Sequence, residues 1–403
     1  MSFVDPRNQP SAAFIEGVRR RFPIEPEMDR VLTRKMQHRA GPGYSPLSLP
    51  TIVEGLQRLI ASNIGGSFTV SNARWLTGGA SKIQVAFDLE WNGAADGGRC
   101  LTPMVLRMEP PESVVETSRL REFEILKTMS GVVPVPPCYW VDHEGAFLPY
   151  PALVYGFVTG VAKPTKQAST QVTGIGLNYG PDLRVKLGHQ FLSQLGRIHT
   201  VPANVIGGLQ HFSPAMVGSN EAVVRQVNWW RRVWEEDRAE EEPLMTAAGN
   251  WLTRNAPVID HVSIVHGDAR GGNVLFNEEN GQITAWLDWE LAYLGDRHQD
   301  IAWSMINAFR HMSENGRDEL IGGFFPETQY LELYEQGSGL KIDRKRLAYY
   351  QVLVSFMSVS ICLGTGYRVA RNGKTHQDVV CAWLSMISYG IMEQMRQTLE
   401  EYA

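Results

Sequence analysis

Between Ser263 and Ala302 the chain reads SIVHGDARGGNVLFNEENGQITAWLDWELAYLGDRHQDIA, which spaces His266, Asp268, Asn273 and Asp288 for chemistry on a metal-bound nucleoside triphosphate. Asp268 and Asn273 flank Gly271 and Gly272, between the apolar runs Val262 to Val265 and Val274 to Phe276. A loop between two strands aims both side chains one way. A turn at Glu278 to Gly281 and a short strand from Ile283 to Leu287 then predict a hairpin that returns Asp288 beside Asn273. Carboxylate and amide oxygens suit hard Mg2+, which also takes substrate phosphates. Asp268 is left to orient an attacking hydroxyl and accept its proton.

HGDARGGN followed by LDWE resembles the catalytic HGDxxxxN and the following ID or LD motif of the aminoglycoside phosphotransferase and choline kinase family, relatives of the protein kinases. The resemblance implies that Asp268 is the catalytic base, Asn273 and Asp288 are magnesium ligands, and His266 braces the loop. Asp296 and Asp300 in GDRHQDIA match the family's GDPxxDLA, whose acidic residues support the loop from behind. The implied fold is α+β and two-lobed, protein-kinase-like, with a small antiparallel-sheet N-lobe carrying one key helix and a large, mostly helical C-lobe. The implied reaction moves the terminal phosphoryl group of ATP, with Mg2+, to a hydroxyl of a small molecule.

Such a site needs a phosphate loop upstream. WLTGGASKIQVAF, Trp75 to Phe87, offers Gly78, Gly79 and Ser81 before an alternating strand, and glycine lets backbone amides approach phosphate oxygens. The same GGAS also fits an ordinary hairpin turn; its position upstream of the HGD loop favours the phosphate reading. The next strand, Pro103 to Met108, carries Arg107 as the cation for the phosphates, where protein kinases use Lys. LR followed by a proline pair looks like the branch of the family fused in animals to acyl-CoA dehydrogenases. A helix over Ser118 to Met129 has its apolar residues at helical spacing, and the family pattern selects Glu122 as the partner of Arg107. The strand Ala152 to Val158 ends where the family places the hinge between lobes, so Tyr155, Gly156 and Phe157 are the candidates beside adenine.

The organisation expected from these motifs is an N-terminal extension over residues 1–50, a nucleotide-binding N-lobe over 51–158 and a helical C-lobe over 159–403, with the catalytic loop at 263–302. The extension has charged, helix-like stretches at 12–21 and 27–38, and packs across a lobe or a partner subunit, which leaves a homodimer open. Within the C-lobe, His199 and the Trp229, Trp230 and Trp234 cluster read as core, the histidine bonded to a carbonyl, and the acidic run Glu235 to Glu242 reads as a solvated helix face.

The 403 residues are 43% hydrophobic with a net charge of -5, which offers no broad attraction to nucleic acid or acidic membranes. Four cysteines without CxxC spacing indicate reduced thiols and a cytoplasmic protein. The opening MSFVDPRNQPSAAF lacks the apolar core of a secretory leader. Residues 347–367 carry no charge and are long enough to span a bilayer, but recurring Gln, Ser, Gly and Thr predict a buried helix. In residues 161–260, ten Lys and Arg face nine Asp and Glu. That near balance weakly disfavours a polycationic acceptor and leaves a neutral or anionic hydroxyl compound open, and the resemblance to the domains fused to acyl-CoA dehydrogenases implies a hydroxyacyl-CoA as one such acceptor. Two other readings compete with a kinase: a catalytically silent nucleotide-binding or scaffolding module, and a metal-dependent phosphoesterase, for which the scattered histidines form no motif.

Overall fold

The computed structural model describes residues 5–76, 81–93, 97–165 and 177–402. Two helices, α1 (Ala12–Arg21) and α2 (Pro26–His38), precede α3 (Leu49–Asn63) and the strands β1 (Thr69–Trp75), β2 (Ile83–Trp91) and β3 (Cys100–Met108). The helix α4 (Arg119–Met129), capped by the Ser118 hydroxyl, leads to β4 (Cys138–Asp142) and β5 (Ala152–Gly156). These five strands form one antiparallel sheet in the order β1-β2-β3-β5-β4. Side chains alternate across a strand, so Met104, Leu106 and Met108 of β3 join Ile52, Leu56 and Leu59 of α3 in the small-lobe core. Arg107 must then face the opposite side, where α4 lies.

The larger lobe begins with α5 (Pro181–His199), the short α6 (Ala203–Ile206), α7 (Glu221–Asp237) and α8 (Pro243–Arg254). The catalytic stretch supplies β6 (Ser263–Val265), the hairpin β7 (Val274–Asn277) and β8 (Gln282–Trp286), β9 (Tyr293–Gly295) and α9 (His298–Ser304). A small β10 (His311–Met312) and β11 (Glu319–Leu320) pair precedes α10 (Glu327–Ser338), α11 (Arg344–Val359), α12 (Tyr367–Arg371) and α13 (Asp378–Tyr402). The architecture is the two-lobed, kinase-like α+β fold expected from the motifs.

The apolar run at 347–367 forms most of α11 and a π-helical turn, Ser360–Gly366. Arg344–Arg371 is long and apolar enough to cross a membrane, but its apolar window is mostly buried. Three of its serines are satisfied within the helix: the hydroxyls of Ser355, Ser358 and Ser360 each donate to the carbonyl four residues back at 2.8 Å.

The first two helices pack on α7, while α3 packs on the small sheet. The join is ionic and buried. Arg39 reaches Asp237 at 2.6 Å and Glu112 at 3.0 Å, and Lys35 reaches Glu236 at 2.9 Å and Asp237 at 3.1 Å. The acidic run is therefore not wholly solvated, as the sequence suggested: Glu236 and Asp237 are buried because cations from a distant segment arrive over them. Burial alone would raise the Asp237 carboxyl, but Lys35 and Arg39 hold it well below the usual carboxylate range. Its contribution to stability is complete above the unfolded pKa and is lost as pH falls through the folded one. Removing one partner of a buried pair leaves an uncompensated charge. Asp237→Ala is expected to cost about 3–5 kcal/mol, measured by urea unfolding, and a cost under about 1 kcal/mol would show the network to be stabilising nothing.

Candidate active site

The HGD loop is held by hydrogen bonds that the sequence alone orders only in part. Gly267 sits at φ 85°, and a Cβ there would lie 2.5 Å from the Leu291 carbonyl oxygen, so this position requires glycine. His266 Nδ1 accepts the Asp268 amide at 3.2 Å. Its Nε2 therefore carries the proton and donates to the Leu287 carbonyl at 3.0 Å, tying the loop to the residue before Asp288. Asp300 lies beneath: its carboxylate accepts the amides of His266 at 2.7 Å and Gly267 at 2.8 Å, and faces His199 Nε2 at 2.9 Å. His199 is core, but its partners are this carboxylate and the Tyr334 hydroxyl, in place of the expected carbonyl. Burial lowers its pKa despite Asp300, so it stays neutral. Trp229, Trp230 and Trp234 are likewise buried in the large-lobe core.

Asp296 is not drawn to the loop. Its carboxylate accepts from His298 Nδ1 at 2.6 Å and from Arg346 at 2.9 Å, which fastens the start of α9 to α11.

Asn273 closes a short turn, Gly271–Asn273, and its Nδ2 donates to the Asp268 carbonyl at 2.9 Å. With the amide nitrogen so committed, the oxygen is the end available to a cation. The Leu287 amide donates to the Asn273 carbonyl at 2.8 Å, so the β7–β8 hairpin does return Asp288 beside Asn273. Asp288 itself is left-handed, at φ 59° and ψ 48°. That conformation is uncommon for a residue with a Cβ, though Asp tolerates it better than most, and it turns the carboxylate toward the small lobe. There it pairs with Arg107.

Arg107, buried on β3, also meets Glu122 of α4 at 3.4 Å and Glu290 at 3.1 Å. Four further groups, Lys82, Glu109, Arg119 and Glu290, complete this cluster and escaped the sequence reading. Lys82 reaches Glu109 and Glu290, each at 3.0 Å. Arg119 pairs with Glu122 and reaches Glu109 at 3.0 Å and Glu290 at 3.1 Å. Burial would raise the Glu290 carboxyl, but Lys82, Arg107 and Arg119 together hold it far below its ordinary value. The signals were present: Lys82 directly follows GGAS, and Glu290 ends LDWE. Ser81 donates to Glu290 at 3.1 Å, which brings it to the same cluster, whereas Gly78 and Gly79 lie outside the described residues.

Asp268 Oδ1 accepts the Trp303 indole N–H at 2.6 Å and Arg270 Nε at 3.1 Å. No pattern in the sequence marked Trp303. Burial raises the Asp268 carboxyl, Arg270 opposes the rise, and Asp288 adds to it. Asp268, Arg107, Asp288 and Glu290 all line one cleft of about 340 Å³ between the lobes. On the neighbouring strand β5, Tyr155 is paired with Val105, and so shares the α4 face with Arg107. The Gly156 amide donates to the Pro137 carbonyl at 2.8 Å and the Phe157 amide to the Pro103 carbonyl at 2.9 Å. Those two donors are taken, which leaves carbonyl oxygens here, and amides beyond Phe157, to meet a base.

Among the described residues no cluster of three or more His, Cys, Asp or Glu could enclose a metal. Magnesium delivered with a nucleotide needs no such cage, because one or two protein oxygens suffice when phosphates and waters supply the rest. The oxygen donors Asn273 and Asp288 fit that requirement.

Mouse Acyl-CoA dehydrogenase family member 10 is 28% identical to this chain over 207 residues, 50% of this chain and 18% of the mouse protein. Rat Acyl-CoA dehydrogenase family member 11 is 24% identical over 289 residues, 68% of this chain and 35% of the rat protein. The chain thus spans 35% or less of these relatives' own length. A crystal structure from Ralstonia eutropha jmp134, assigned as an aminoglycoside phosphotransferase, superposes with a TM-score of 0.60 at 19% identity, covering 87% of this chain and 98% of that one. At that identity the likeness establishes the shared fold. The sequence profile of the Phosphotransferase enzyme family matches residues 94–340, more than half of the chain. The chain belongs to that family of phosphotransferases.

Proposed function

We propose that the chain is an ATP-dependent small-molecule kinase that transfers the terminal phosphoryl group to an alcohol. The observation that carries this reading is that Asp268, Asp288 and Arg107 line a single interlobe cleft, where they would serve as base, metal ligand and phosphate-binding cation. Asn273 Oδ1 and the Asp288 carboxylate would hold Mg2+, which would supply positive charge against the phosphates. Asp288 would exchange its Arg107 partner for the metal, and the guanidinium freed on that side would take a phosphate oxygen. Glu122 and Glu290 keep Arg107 extended.

Asp268 Oδ1 is occupied by Trp303 and Arg270, so Oδ2 is the oxygen that receives the hydroxyl proton. The alcohol oxygen bonds to the terminal phosphorus, the bond from that phosphorus to the bridging oxygen breaks, and ADP leaves. Positioning and preorganised charge account for the acceleration, with no covalent enzyme intermediate. His266 and Asp300 act as positioning residues, since both grip the loop backbone.

The test is incubation of the protein with Mg2+ and ATP against a panel of aminoglycosides, macrolides, hydroxyacyl-CoAs and aromatic or sugar alcohols, with mass detection of a phosphorylated product. One phosphorylated alcohol formed together with ADP is the expected result. ATP converted to ADP and inorganic phosphate alone, or left intact although bound, would overturn the kinase reading.

A further inference from the structure

The cleft has two unlike ends. Around Arg107, Asp288 and Glu290 it is charged; away from them it is walled by Trp303, Phe309, Ile361, Trp383, Leu384 and Ile387. That apolar wall comes from four separate segments: α9, the turn at 307–309, the π-helical turn before α12, and α13. Leu384 and Ile387 lie three residues apart on α13, as one face of a helix requires. Trp383 is 40% exposed, so the wall keeps a large, partly uncovered aromatic at its rim. Among the described residues lining this end, the charged ones are Asp268 and Arg270, which are bonded to each other, and Arg270 lies 5.5 Å from the centre of the Phe309 ring.

Trp303 joins the two ends. Its indole N–H holds Asp268, and its ring also lines the cleft. A hydroxyl placed on Asp268 therefore has its carbon skeleton directed along the apolar wall. A polycation there would give up its hydration for a single carboxylate, Asp268, which Arg270 already pairs, since the other acidic groups of the cleft, Asp288 and Glu290, stand at the phosphate end. An apolar skeleton is stabilised in proportion to the surface it removes from water.

We propose, resting on the kinase reading above, that the acceptor is an alcohol carried on an uncharged apolar skeleton, aliphatic or aromatic, which lies against α13 and the π-helical turn. Trp383, Leu384 and Ile387 are then specificity residues for the acceptor and do not touch the nucleotide.

The experiment uses straight-chain primary alcohols from butan-1-ol to octan-1-ol, with kanamycin as the polycationic comparison. Turnover is followed with Mg2+ and ATP, alcohol binding by saturation-transfer NMR, and nucleotide binding by calorimetry with Mg2+ and AMP-PNP. The expected result is a KM, or a dissociation constant, that falls about fourfold per added methylene until the wall is covered. Ile387→Glu is expected to weaken octan-1-ol binding more than about tenfold while nucleotide affinity is kept. Should that variant melt early, Leu384→Ala supplies the same readout with a smaller loss. A constant that does not change with chain length, tighter use of kanamycin, or octan-1-ol binding unaffected by both variants would overturn the inference while leaving a kinase. Alcohol binding that follows the wall, in a protein that neither binds nor consumes ATP, would instead sink the kinase reading alone.

Discussion

Replacing Asp268 with alanine is expected to lower turnover by about 10²–10⁴-fold, the range for a positioned general base, while leaving nucleotide affinity nearly intact. The separation follows from geometry, because Asp268 faces the acceptor end of the cleft beside Trp303, whereas the cations of the phosphate end are held by Glu122 and Glu290. The base acts only when ionised. Burial raises its carboxyl above the ordinary 3.8, so the rate is expected to fall as pH drops through that raised value, at higher pH than for an exposed aspartate. Arg270 opposes the rise, and Arg270→Gln is expected to move the acid limb higher still. The checks are single-turnover rates across pH and calorimetry with AMP-PNP. Turnover retained in Asp268→Ala would remove Asp268 from its role.

The sequence carried the chemistry of the large lobe further than that of the small one. HGDARGGN and LDWE are contiguous motifs on one hairpin, so spacing along the chain becomes spacing in the site, and the return of Asp288 to Asn273 follows from local strand pairing. The helices Ala12–Arg21 and Arg119–Met129 were legible for a similar local reason, the first as a charged, helix-like stretch and the second by apolar residues at helical spacing. The cluster around Glu290 was not. It is assembled from Lys82, Arg107, Arg119 and Glu290, which lie on four segments, and a lone charge in a sequence does not reveal its partner. The same limit hid the pairing of Lys35 and Arg39 with Asp237, because an acidic run looks solvated until distant cations are brought over it. Trp303 shows the limit most plainly: nothing in GDRHQDIAW separates a core tryptophan from one whose indole N–H donates to the Asp268 carboxylate.

Asp288→Ala is the second large effect. The carboxylate is the sole acidic ligand assigned to the metal, and it stands on a left-handed residue that spends conformational strain to present it. Its loss also leaves Arg107 without one of its three carboxylate partners, so the phosphate end becomes one unit less negative while the cation remains in place. Magnesium-dependent nucleotide binding is expected to weaken by at least about 100-fold, roughly 2.8 kcal/mol, and any residual binding should no longer respond to Mg2+. Asn273→Ala is expected to act in the same direction and, by freeing the Asp268 carbonyl, to loosen the loop as well.

The most direct measurement is a calorimetric titration of AMP-PNP into the wild-type protein and into Asp288→Ala, each with Mg2+ and with chelator. Convergence of Asn273 and Asp288 on one nucleotide-borne ion predicts tight binding in the wild type that chelator abolishes, and no Mg2+ response in the variant. Equal, magnesium-sensitive affinity in both proteins would contradict it.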